Sequence, residues 1–143
     1  MRYPILVIWD QFLSGKTEFA HSLFRNAHEV RVGRLEHFPD AMRGFNRRLH
    51  DGLILDDVRD VKFLSAHQEK LQARYNGPVE FGSTPGGQCA FWRDLFAVPV
   101  VATDNYSTDN LGLLDADDWL GNTSNRVVVH FPHWEAPPPP PSA

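Results

Sequence analysis

The stretch that decides the fold is ILVIWDQFLSGKT, which runs from Ile5 to Thr17. Its first five residues are apolar and predict a strand buried on both faces. A loop over Asp10–Gly15 follows, and then a helix from Lys16 to about Arg25. The predicted helix places its apolar residues on one face, namely Phe19, Ala20, Leu23 and Phe24. This strand–loop–helix order predicts a phosphate site at the start of the helix.

Ser14-Gly15-Lys16-Thr17 supplies the chemistry that such a site requires. Backbone N–H groups converge on phosphate oxygens, the lysine reaches the terminal phosphates, and the hydroxyl holds Mg²⁺. The full phosphate-loop pattern has a glycine where this chain has Asp10. We expect that carboxylate to weaken affinity, since it repels phosphate and disfavours positive φ. The alternative is a strand–turn–helix with an incidental Gly-Lys-Thr.

Asp56 and Asp57 end a second apolar strand, Leu53–Leu55. Phosphoryl transfer requires a carboxylate for Mg²⁺ and a second group that orients the attacking water. Open α/β sheets bind their ligands at the carboxyl ends of strands, where this pair is predicted to lie. A solvated turn after the strand is the alternative interpretation.

Two further polar groups adjoin apolar strands. Asn105 follows the strand Val98–Ala102, and its amide offers both a donor and an acceptor for a γ-phosphate and a water. Arg126 opens the last strand, Arg126–Phe131, and is a candidate arginine finger for a neighbouring subunit. Taken alone, Asn105 is better explained by plain turn chemistry, and Arg126 is equally consistent with a surface arginine beside a strand.

The remaining segments complete an α/β fold with a mostly parallel sheet flanked by helices. A β-hairpin insertion is predicted around Gly-Ser-Thr-Pro-Gly-Gly. The segment Leu35–His50 is predicted to be irregular with one helical turn. The other predicted elements are a strand at Glu29–Val32, a helix at Phe63–Tyr75, hairpin strands at Val79–Phe81 and Gln88–Trp92, and a short helix at Asp115–Leu120.

Composition narrows the class of protein. The 143 residues suit one domain, and the single cysteine excludes an internal disulfide. No apolar run approaches the roughly 20 residues of a membrane span, so no membrane partner is predicted. The net charge of −4 gives the surface as a whole no nucleic-acid footprint, although basic groups confined to a narrow channel would not show in the net charge.

The ordered set of motifs resembles the superfamily 3 helicase domain of the Rep proteins of circular single-stranded DNA viruses. The resemblance runs from Ile5-Leu-Val-Ile through Asp51-Gly-Leu-Ile-Leu-Asp-Asp57 and Val100-Val-Ala-Thr-Asp-Asn105 to Asn125-Arg-Val127. It covers residues 1–133 and leaves 134–143 as a proline-rich tail. It implies an AAA+-like P-loop NTPase that hydrolyses ATP with Mg²⁺.

The resemblance also implies a role for each motif residue. Lys16 and Thr17 bind phosphate and Mg²⁺, Asp56 serves the metal, and Asp57 serves the lytic water. Asn105 senses the γ-phosphate, and Arg126 acts in trans. The implied assembly is a homo-oligomeric ring, commonly a hexamer, that moves along single-stranded nucleic acid, with DNA favoured over RNA.

The predicted hairpin departs from that family, whose hairpin carries a lysine that grips the strand. Phe81–Phe91 contains no Lys or Arg, and phosphate contacts supply most sequence-independent affinity. We expect Arg93, or stacking by Phe81, Phe91 or Trp92, to substitute in part for that lysine. The group Arg43, Arg47, Arg48 and His50 is interpreted as a solvated basic face, with nucleic-acid contact as the alternative.

Two other functions stay open. One is a catalytically weakened or non-enzymatic nucleotide-binding relic, favoured by Asp10 and the uncharged hairpin. The nuclease domain and oligomerisation helices of the family precede the P-loop, so a chain that starts at the first strand is expected not to nick DNA and to assemble poorly. The other is a small-molecule P-loop kinase, for which Leu35–His50 is the candidate lid.

Overall fold

The computed structural model describes residues 3–9, 15–31, 41–58, 64, 66–72, 78–81, 91–95, 97–104, 116–118 and 120–130. In chain order the elements are β1 (Ile5–Trp9), α1 (Lys16–Ser22), β2 (Ala27–Arg31), β3 (Gly52–Asp56), α2 (Gln68–Leu71), β4 (Pro78–Phe81), β5 (Phe91–Asp94), β6 (Val100–Asp104) and β7 (Arg126–His130).

Five of these strands form one sheet in the order β2-β3-β6-β1-β7. Every pairing in it is parallel. Strands β4 and β5 pair antiparallel as a separate ribbon, with Phe81 opposite Phe91. The parallel α/β sheet and the inserted hairpin are therefore confirmed.

Strands β1, β3 and β6 are largely buried because both faces of the sheet are covered there, whereas Val127 and Val129 of the edge strand β7 are exposed. Strand β3 shows this most fully, since Leu53, Ile54 and Leu55 are all completely buried. On one face, Ala20 of α1 packs with Ile8, Ile54 and Val101. On the other face, a larger cluster packs on the sheet and includes Met42, Phe45, Leu64, Leu71, Phe81, Leu95 and Leu120.

Helix α1 is shorter than predicted, because it ends at Ser22 rather than near Arg25. The backbone N–H groups of Arg25 and Asn26 donate to the Asp51 carboxylate at 2.8 and 3.0 Å, which draws the chain out of the helix towards β2. The hydrogen bond from the Arg25 backbone, foremost, holds the pKa of Asp51 below its ordinary value. Asp51 thus fixes where β2 and β3 begin.

The predicted apolar face of α1 is only partly buried. Ala20 is fully buried and Phe24 is half-buried, but Phe19 and Leu23 are 40% and 46% exposed. A short helix on a five-stranded sheet covers only the residues directly beneath it.

Several element boundaries differ from prediction. Strand β2 begins at Ala27, β6 spans Val100–Asp104 rather than Val98–Ala102, and β5 reaches Asp94. Within the predicted helix Phe63–Tyr75, Leu64 and Ala66 are helical and α2 spans Gln68–Leu71, while residues 63, 65 and 73–75 lie outside the described part. Within the predicted helix Asp115–Leu120, Ala116 is helical, and residues 117, 118 and 120 lie in a bend and turn in which Asp117 Oδ1 accepts from the Leu120 N–H at 2.8 Å.

Other predictions lie outside the described residues, including the loop Asp10–Ser14, the lid candidate before residue 41 and the tail 134–143. No helix in the described part of the chain combines the length and apolar character that a membrane crossing requires.

Candidate functional site

The carboxyl ends of three neighbouring strands meet at one edge of the sheet. Trp9 at the end of β1 is in register with Asp104 of β6, and Leu55 of β3 is in register with Ala102 of β6. Strand β6 lies between the other two. The predicted loop-and-helix motif and the predicted acidic pair therefore share the edge at which parallel sheets bind ligands.

Thr17 and Asp56 are in direct contact at this edge, although 39 positions separate them in sequence. The Thr17 hydroxyl donates to Asp56 Oδ1 at 2.8 Å. The Thr103 hydroxyl donates to the same oxygen at 2.9 Å. Two hydroxyl donors fix the Asp56 carboxylate facing the start of α1.

Asp57 has an unusual backbone conformation. Its φ is 59°, in the left-handed region that residues other than glycine rarely adopt. The Asp57 N–H donates to Thr103 Oγ1 at 3.0 Å, and the Val58 N–H donates to the Thr103 carbonyl at 2.8 Å. Thr103 therefore holds both acidic residues, and backbone outliers of this kind concentrate at functional sites.

Gly15 and Lys16 form the entry to α1. Gly15 has φ 81° and ψ 21°, a left-handed conformation that glycine adopts without a Cβ penalty. Its carbonyl accepts the first helical hydrogen bond, from the Phe19 N–H at 2.9 Å. The Lys16 side chain is buried, with 4% of its surface exposed. Ser14 lies outside the described residues.

A second cation lies beside the carboxylates. Arg31, at the end of β2, has its Nε 4.0 Å from Asp56 Oδ2, and its side chain is 87% exposed. So exposed an ion pair adds little stability. It does place an exposed positive charge beside Asp56, where an anionic ligand would approach.

The oxygen donors of this edge fit a magnesium ion better than a transition metal. No group of three or more His, Cys, Asp or Glu side chains converges among the residues described. Mg²⁺ keeps several waters and bridges to phosphate oxygens, so one hydroxyl and one or two carboxylates suffice. Thr17 Oγ1 and Asp56 Oδ1, 2.8 Å apart, are hard oxygen donors of that kind.

The predicted catalytic residues do not all lie at this edge. Asn105 follows the last residue of β6 and lies outside the described part. Arg126 is in register with Ile5, at the amino end of the sheet, about 13 Å along the strands from their carboxyl ends. Its Nε donates to the Leu120 carbonyl at 3.0 Å. In this geometry Arg126 does not serve the site of its own chain.

The residues predicted to contact a nucleic-acid strand differ in their surroundings. Phe81 is fully buried in the core, with Lys70 Nζ 4.9 Å from its ring centroid. A buried ring cannot stack on a base, so that prediction is wrong for Phe81. The Phe91 side chain is outside the described set. Arg93 donates through Nη1 to the Trp92 carbonyl and through Nη2 to the Arg43 carbonyl, both at 2.7 Å.

Sequence reasoning missed two residues of the site. Thr103 was passed over in favour of Asn105, although a hydroxyl in a buried strand needs a hydrogen-bond partner and so points to a polar neighbour. Arg31 carried no signal, because only the parallel pairing of β2 with β3 brings it level with Asp56.

No protein-family model matches this chain, and no curated protein matches it.

Proposed function

We propose that this chain is an ATP-hydrolysing motor of helicase type that acts on single-stranded nucleic acid, with DNA favoured over RNA. The observation that carries the proposal is the contact between Thr17 and Asp56. It joins the residue after Gly-Lys to a carboxylate at the end of a buried strand. A nucleoside triphosphate with Mg²⁺ is the ligand class whose recognition uses that pair.

Each residue at the edge has a chemical task in this proposal. Lys16 binds the terminal phosphates, and the Gly15 turn lets the backbone approach them closely. Thr17 and Asp56 hold Mg²⁺, which when bound neutralises charge that develops on the transferred phosphoryl group. Asp57 accepts a hydrogen bond from the attacking water, and Asn105 contacts the γ-phosphate.

The position of Arg126 favours action between subunits. An arginine at the amino end of the sheet reaches a nucleotide only on a neighbouring copy, in a head-to-tail arrangement. Such an interface closes into a ring when its rotation permits, and we propose a homo-oligomeric ring on this basis.

The test is steady-state hydrolysis of Mg-ATP, with and without single-stranded DNA, at chain concentrations that permit assembly. We expect turnover that the strand stimulates and that Lys16→Ala lowers about a hundredfold or more, since that lysine stabilises developing phosphate charge. Lys70→Ala is the matched control, because it removes the same charge on α2. The residue after α2, Gln72, donates to the Tyr3 and Asn125 carbonyls, at the amino ends of β1 and β7 and so away from the proposed site.

The outcomes separate the proposal from its rivals. Equal turnover in the wild-type protein and folded Lys16→Ala contradicts it. Nucleotide binding without turnover supports the weakened relic instead. Phosphorylation of a small metabolite, independent of assembly, supports the kinase.

A further inference from the structure

A cleft of about 450 Å³ separates the turn 43–49 from strand β5. Its lining includes Arg43, Arg47 and Leu49 from the turn, and Trp92 and Arg93 from the strand. We call it the Arg-Trp cleft. Arg93 joins its two walls, because Nη2 donates to the Arg43 carbonyl at 2.7 Å. This hydrogen bond holds the turn and strand β5 together, so the two walls of the cleft are fixed relative to each other.

The Arg-Trp cleft lies at the opposite edge of the sheet from Thr17 and Asp56. The Leu49 carbonyl accepts from Asn26 Nδ2 at 2.9 Å, and Asn26 immediately precedes β2. The turn thus packs at the amino ends of the strands. A ligand in the cleft would leave the proposed nucleotide site unobstructed.

The charge of the cleft selects an anion. Three arginines line it, and no Asp or Glu stands among its described lining residues, whereas the whole chain has a net charge of −4. Guanidinium groups recognise phosphate through paired N–H donors. Arg47 is exposed, and its neighbour Arg48, also exposed, is not part of the lining.

The cleft also presents apolar surface. Trp92 is 55% exposed and Leu49 is 64% exposed, and both line it. Indole surface beside arginines suits a ligand that carries an aromatic ring next to an anionic group. Nucleotides combine these two features in every unit, and proteins that bind single strands use stacking together with backbone contacts.

We infer that the Arg-Trp cleft binds nucleotide units of single-stranded nucleic acid, with phosphate at Arg47 and Arg43 and a base against Trp92. The inference rests on the proposed function for its class of partner, and it assigns that partner to a surface that strand β5 shares with the turn 43–49. The volume lies within the roughly 300–1,000 Å³ of small-ligand sites.

The test is fluorescence anisotropy of a labelled oligothymidylate, measured without ATP across a series of salt concentrations. We expect Trp92→Ala to weaken binding about fivefold or more and to leave the salt dependence unchanged, because stacking carries no charge. Trp92→Phe should restore part of the affinity. Arg47→Ala should weaken binding and reduce the slope of log K against log salt by about 0.7, as loss of one phosphate contact requires.

Arg48→Ala is the matched control, since it removes the same charge one residue outside the lining, and we expect less than about a twofold change under screening salt. Equal losses of affinity in Arg47→Ala and Arg48→Ala would indicate general electrostatic attraction of the oligonucleotide and would overturn the assignment. Unchanged affinity in Trp92→Ala would overturn it as well. Displacement of the oligonucleotide by thymidine monophosphate at equal nucleotide concentration would show that the cleft binds free nucleotides. That result would overturn the assignment of single-stranded nucleic acid as the partner.

The same assay separates this inference from the proposed function. Lys16→Ala should bind the oligonucleotide normally, because the cleft and the P-loop lie at opposite edges. If oligonucleotide binding depends on Trp92 but no ATP is hydrolysed, the assignment of the cleft stands and the proposed motor function is rejected. If ATP is hydrolysed but the cleft variants bind the strand like the wild-type protein, the proposed motor function stands and the assignment of the cleft is rejected.

Discussion

At the residue scale, the Thr103 hydroxyl connects the two acidic residues of the candidate site. It donates to Asp56 Oδ1 and accepts from the Asp57 N–H, and Thr103 is only 2% exposed. We expect Thr103→Val, which keeps the shape but loses the hydroxyl, to lower the free energy of unfolding by about 1–3 kcal/mol. Urea denaturation measures this. Thr103→Ser keeps the hydroxyl, so equal losses in the two variants would contradict this role.

Asp57 allows chemistry to be separated from conformation. Asn tolerates the left-handed backbone nearly as well as Asp, so Asp57→Asn should keep the fold while lowering ATP turnover about a hundredfold or more. Asp57→Gly should raise the free energy of unfolding, by about 1 kcal/mol, because glycine relieves the φ of 59°. Thermal unfolding and hydrolysis assays measure both. Normal turnover in folded Asp57→Asn would remove Asp57 from the mechanism.

At the element scale, the segment between α1 and β2 packs closely on the start of β3, and this packing depends on Gly52. A Cβ built at Gly52 would lie 2.2 Å from an atom of the Phe24 ring, well inside van der Waals contact. Gly52→Ala should therefore destabilise the fold by about 1–3 kcal/mol through overpacking. Phe24→Leu in the same chain should recover part of the loss. Purely additive effects of the two substitutions in urea denaturation would contradict direct packing.

The elements that sequence predicted well are those whose signal is local. Five apolar residues specify β1, and the turn signal Gly-Ser-Thr-Pro-Gly-Gly predicted the antiparallel pairing that the flanking strands β4 and β5 show. The ends of elements were predicted less well, because they depend on distant partners. Helix α1 stops at Ser22 because Asp51, far along the chain, binds the N–H groups of Arg25 and Asn26.

The same distinction applies to the candidate site. Order along the chain was enough to predict that Asp56 lies at the carboxyl end of a strand, where parallel sheets bind ligands. Its direct contact with Thr17 was not predicted. The contributions of Thr103 and Arg31 depend on strand order and register, which the sequence did not reveal. The burial of Phe81 likewise depends on tertiary packing. An aromatic residue at the end of a hairpin strand looks the same in sequence whether its side chain is buried or exposed.

At the scale of the whole molecule, Arg126 and Lys16 belong to opposite edges of the sheet. If Arg126 completes the site of a neighbouring copy, Arg126→Ala and Lys16→Ala should each lose turnover, and their mixture should regain some. Random assembly leaves about a quarter of head-to-tail interfaces with both residues intact. Hydrolysis assays of the separate and mixed proteins measure this. Two folded, assembling variants that stay inactive when mixed would contradict action in trans.

The most direct test of the central claim, that the edge formed by Gly15–Thr17 and Asp56 binds a nucleotide, is calorimetric titration with ATP in the presence and absence of Mg²⁺. We predict saturable binding that Mg²⁺ strengthens, that Lys16→Ala weakens about tenfold or more through loss of a charge-assisted contact, and that Lys70→Ala leaves unchanged. Equal affinity in wild-type protein and folded Lys16→Ala, or no binding by folded wild-type protein, would contradict it.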